Sequence, residues 1–135
     1  MSISGSVIIC DDIRQETTGK VILVGVYAEN LVVPSLPVSL SLSFWIRLKR
    51  VEPGLSELTV RIGANDKKQH EAKITIDVPD DVPDVTGNVN IYLQDIPIRL
   101  ERDSDIFLEL DGLSDGTVIR ETLPASGAPR PPTTD

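Results

Sequence analysis

The sequence predicts an all-β protein, an antiparallel sandwich of about seven to eight strands of the immunoglobulin-like or C2-like kind, with no substantial helix. Three observations predict it. From Val38 to Leu48, the apolar residues Val38, Leu40, Leu42, Phe44, Ile46 and Leu48 alternate with Ser39, Ser41, Ser43, Trp45 and Arg47, a period of two that puts all six on one side only if the chain is extended. Similar short runs recur along the chain, separated by turn residues. The segments that could be misread as helical, 51–58 and 94–102, each contain a proline, which a helix interior does not tolerate.

Read in order, strands are expected at 6–11, 21–28, 38–49, 58–63, 72–78, 89–100, 105–111 and 117–123. Thr17-Thr18-Gly19 closes the first hairpin. Pro53-Gly54 suits a type II turn, proline fixing its own φ and glycine accepting a positive one. Asn65-Asp66 and Ser114-Asp115-Gly116 read as hairpin tips, because these residue types tolerate left-handed backbone. Pro97, which cannot donate to a ladder, marks an edge strand or a bulge. The sandwich is expected to span residues 1–124. Residues 125–135, with Pro129, Pro131 and Pro132 among small polar residues, are expected to form an extended tail.

With 135 residues, the chain is long enough to bury a core without disulfides or metal. Its net charge of −8 is uneven: residues 1–50 hold five Lys/Arg against four Asp/Glu, and the remainder holds eight against seventeen. Binding to phosphate backbones or anionic membranes needs clustered cations, so no nucleic-acid or membrane partner is expected. A single cysteine, Cys10, forms no internal disulfide and fits a reducing compartment. The N-terminus lacks the pattern of a signal peptide, which makes the cytoplasm the expected location.

The opening segment carries a resemblance. Cys10-Asp11-Asp12-Ile13-Arg14, Glu16, Gly19-Lys20, Leu23, Gly25-Val26-Tyr27 and Leu31-Val32-Val33-Pro34 resemble an uncharacterised family of short bacterial proteins, a domain of unknown function. The resemblance implies a bacterial origin and a small β-rich domain, and carries over no activity, substrate or catalytic residue.

Candidate chemistry is sparse. A Cys10–His70 pair is the only thiol–imidazole combination, but Cys10 ends the apolar run Val7-Ile8-Ile9 and reads as a small buried hydrophobe, while His70 lies in the polar run after the Asn65-Asp66 turn. Asp11 and Asp12 point to opposite sides of a strand and suit turn capping and ion pairs with Arg14 or Lys20 better than a shared acid–base site. Zinc has too few ligands. Calcium, a hard cation that takes loop carboxylates, is the one cofactor worth weighing: Asp77, Asp80, Asp81 and Asp84 fall within eight residues, and Glu101, Asp103 and Asp105 form a second acidic group. Pro79 and Pro83 stiffen the first loop, and acidic loops more often serve solubility. Gly63, Gly87, Gly112 and Gly116 read as hairpin glycines, not as a phosphate loop ahead of a helix.

The residue that stands out is Trp45, the sole tryptophan. By parity it points away from the core with Ser41, Ser43, Arg47 and Lys49, and these five make up the candidate partner-binding face. Tryptophan and arginine are enriched where proteins bind one another. Three readings stay open: a contact for a partner protein or a second copy, a ring covered by the protein's own loops or tail, or an exposed ring with no role. The expectation is a non-catalytic binding or assembly module; the alternatives are a calcium-dependent module built on the acidic loops and a small hydrolase-like enzyme using Cys10 or the Asp11–Asp12 region.

Overall fold

The computed structural model describes residues 3–79 and 88–128. Among these residues nine strands run in order: β1 (Ser4–Gln15), β2 (Val21–Val26), β3 (Leu31–Val33), β4 (Val38–Lys49), β5 (Gly54–Ala64), β6 (Lys67–Val78), β7 (Val89–Leu100), β8 (Ser104–Asp111) and β9 (Ile119–Gly127). They form a four-stranded sheet, β2-β1-β4-β7, and a five-stranded sheet, β3-β9-β8-β5-β6. Every pairing is antiparallel except β3 with β9. The described residues contain no helix, and so none that could cross a membrane.

The sheets face each other across a core whose centre is Phe44, Ile46 and Leu48 of β4 against Leu58, Val60 and Ile62 of β5 and Ile106, Leu108 and Leu110 of β8, all essentially inaccessible to water. Each set is spaced by two, so the alternation that defines each strand also builds the core. Asn65 and Asp66 both take positive φ, 56° and 58°, and join β5 to β6 by the two-residue hairpin the sequence predicts.

Four expectations need correction. Ser43 does not face solvent: it is fully buried. Opposite it β7 inserts an extra residue, because Leu42 pairs with Ile96 while Phe44 pairs with Leu93. Asp95, at φ 56°, sits in this bulge, and its N–H donates to Ser43 Oγ at 3.2 Å. The sandwich also does not stop at residue 124. β9 continues to Gly127, and Ala125, 4% exposed, pairs with Leu31 of β3. That third strand is too short to show a period in sequence and was not expected. Finally, Gly63 lies inside β5 at a register shift, where a Cβ would stand 1.9 Å from the Lys67 carbonyl oxygen, so its role is close backbone approach and not a turn.

Candidate interaction face

β4 is a central strand, and its solvent side is read through its neighbours. Trp45 registers with Ile8 of β1 and Tyr92 of β7, so these three side chains form one row across the outer face of the four-stranded sheet. The Trp45 and Tyr92 rings stack with centroids 5.8 Å apart and planes inclined by 26°. The indole N–H donates to Asn90 Oδ1 at 3.1 Å, and the Arg47 guanidinium lies 5.0 Å from the indole ring. Trp45 remains partly accessible, whereas Ser41, Arg47 and Lys49 are exposed. Beside the row, Ser4, Ser6, Arg47 and Lys49 rim a shallow depression of about 230 Å³.

Of the five predicted contact residues, the structure therefore keeps Trp45, Arg47 and Lys49 together, leaves Ser41 exposed near the bulge, and removes Ser43. Ile8, Asn90 and Tyr92 complete the surface. Their side of the sheet is set by strand register, which parity along one strand does not reveal. The arrangement is a flat aromatic platform with a cation at its border, and the indole is fixed on two sides before any partner arrives, which lowers the ordering cost of contact.

The other candidates separate. Cys10 is fully buried and its Sγ contacts the Asp12 carbonyl at 3.4 Å. Burial above all, then the nearby Asp11 and Asp12 charges, push its thiol above the ordinary range despite that hydrogen bond, the reverse of what a nucleophilic thiolate needs. His70 stands on β6 in the other sheet, with Nε2 against the Pro97 carbonyl of β7. Asp12 accepts from the Ile13 N–H at 2.9 Å and pairs with Arg14 at 3.3 Å, while Asp11 accepts from the Tyr27 hydroxyl; both do structural work. Asp77 is exposed on β6 opposite Leu55, and Asp80, Asp81 and Asp84 lie outside the described residues. In the second acidic group, Asp103 accepts from the Gly127 N–H at 3.0 Å. No three metal-binding side chains converge among the described residues.

A depression of about 410 Å³ where the β5–β6 hairpin meets β7 gathers Lys67, Lys68, Arg99 and Arg102. Arg102 is paired with Asp66 at 2.8 Å and Lys68 with Glu71 at 3.2 Å, so much of its charge is answered locally.

A family model covers residues 5–118, from the start of β1 to the turn before β9. The chain belongs to DUF6941, a family of unknown function. The DUF6941 match takes in Ile8, Trp45, Arg47, Asn90 and Tyr92, so the whole platform lies within it. No curated protein matches the chain.

Proposed function

We propose that this DUF6941 protein is a non-catalytic binding module that works in assembly, and that a partner protein seats on the outer face of the four-stranded sheet around Trp45. The observation that carries the reading is the ordered row Ile8, Trp45, Tyr92 with Arg47 at its border: an accessible tryptophan held by a stack and a hydrogen bond suits a binding anchor and adds little to the core. The buried, high-pKa thiol of Cys10 supports a role without nucleophilic chemistry.

The test is affinity capture from the source cell with three baits: wild type, W45A, and K73A, which alters an exposed residue of β6 in the other sheet. Recovery of a specific partner should fall at least ~30-fold with W45A, the scale of a hot-spot side chain, and stay unchanged with K73A. Equal recovery by W45A and wild type, both folded, would remove the proposal.

A further inference from the structure

Every open sandwich has sheet edges whose unpaired backbone groups invite another strand, and natural proteins usually blunt them. Among the described residues, three of the four edges are blunted. β3 is three residues long. β6 carries Lys67, Lys68, Glu71, Lys73 and Asp77. β7 is bent by the bulge at Asp95 and contains Pro97, which has no donor, and side chains occupy its backbone further on: Gln69 Nε2 donates to the Arg99 carbonyl and Gln69 Oε1 accepts from the Arg99 N–H, both at 2.8 Å, and the Glu101 N–H donates to Asn65 Oδ1 at 3.0 Å.

β2 is different. Val-Ile-Leu-Val-Gly-Val has neither charge nor proline, pairs on one side with β1, and among the described residues ends the sheet on the other; its one backbone irregularity, Gly25 at φ 68°, comes a single residue before its end. Ile22, Val24 and Val26 are 43%, 40% and 51% exposed. Leu23 registers with the buried Ile13 of β1, so its alternates Ile22, Val24 and Val26 lie on the opposite, outer side of the sheet, the side of Ile8 and the Trp45 row.

We infer that β2 pairs antiparallel with β2 of a second copy, about a two-fold axis perpendicular to the sheet at Val24. Such an axis keeps both outer faces on one side, so outward residues must oppose outward residues. The register that pairs all three exposed side chains sets Val24 against Val24 of the other copy and Ile22 against Val26. Charge favours the same arrangement. Lys20 precedes β2 and Glu29 follows it, while Arg14 and Asp12 on β1 already answer each other. Antiparallel pairing brings the basic end of one copy to the acidic end of the other at both ends, as an isologous contact requires, while parallel pairing would set like charges together. The result is one continuous eight-stranded sheet. The contact does not involve Trp45, so W45A should leave it intact, and it stands or falls separately from the partner-binding face.

Sedimentation of the full chain over a concentration series should show a species of twice 14.7 kDa, and V24K should raise its dissociation constant at least ~100-fold, because the lysine enters twice and like charges meet at the axis. Direct antiparallel neighbours have Cα atoms roughly 4.5–5.5 Å apart, within disulfide reach, so V24C should form an intermolecular disulfide on mild oxidation while V118C, more exposed than Val24 on the approach to β9, should not. K20E should weaken the dimer and the double variant K20E/E29K should restore it. A wild type that stays monomeric across the series, a V24K protein as dimeric as wild type, or V24C and V118C crosslinking alike would each overturn the inference.

Discussion

Ser43 Oγ accepts the backbone N–H of Asp95 at 3.2 Å, and this contact fixes where β7 bulges against β4. Two serines of β4 that look equivalent in sequence therefore differ. Ser43→Ala removes the acceptor for the bulge and should cost about 1 kcal/mol, whereas Ser41→Ala, at an exposed position, should stay within about 0.5 kcal/mol of wild type. Urea denaturation of the two variants checks it; equal midpoints would show that the bulge does not depend on the hydroxyl.

The same serine shows how far the sequence could be read. Period-two alternation located β4 with both its ends and put Phe44, Ile46 and Leu48 in the core, because that pattern arises within one strand. The burial of Ser43 arises from an extra residue in β7, a fact about pairing that β4 does not encode. β3 was missed for a related reason: Leu31–Val33 is too short to show a period, and its partner Ala125–Gly127 lies at the far end of the chain. The prolines after Ala128 suggested that the fold ended at residue 124, yet β9 runs on to Gly127, its last two residues paired with β3 alone. The outward side of Trp45 was legible, but its ring partner Tyr92 was not, since the side of the sheet on which Tyr92 falls depends on register across the bulge.

Gly63 and Gly19 make a second contrast. A Cβ on Gly63 would stand 1.9 Å from the Lys67 oxygen and 2.9 Å from Lys68 Cα, both backbone atoms, while Gly19 has φ +86° and open space around it. Gly63→Ala must push the two strands apart and should cost about 3 kcal/mol. Gly19→Ala carries only the strain of a left-handed alanine, about 1 kcal/mol. Thermal melting should rank the two in that order, and a G63A protein as stable as G19A would refute the close approach.

Tyr27 should govern part of the alkaline limb of stability. Burial first, and then its hydrogen bond and charge repulsion with Asp11, push its phenol from 10 up to about 12. The fold thus prefers the neutral phenol. The stability that results is present in full below pH 10 and is lost as pH rises from 10 to about 12. Tyr27→Phe has nothing to titrate, so the difference in stability between it and wild type should change across that window and be flat below it. The late step in wild-type phenolate absorbance should be lost in Y27F, and a Y27F titration curve that keeps the whole late step would contradict the effect.

Cys10 provides a measure of how firmly β1 is held. Its side chain is wholly buried between strands, and burial raises its thiol pKa, so two independent factors slow alkylation: access and thiolate fraction. Under native conditions its labelling should require opening of the β1–β4 region, running at least ~1,000-fold slower than at the introduced, exposed thiol of V118C. Added urea should accelerate it steeply, since denaturant favours the open state in proportion to the surface exposed. A thiol at Cys10 that reacts as fast as V118C, with a rate indifferent to urea, would mean that the strand breathes freely or that the thiolate is stabilised, and would reopen nucleophilic chemistry at this position.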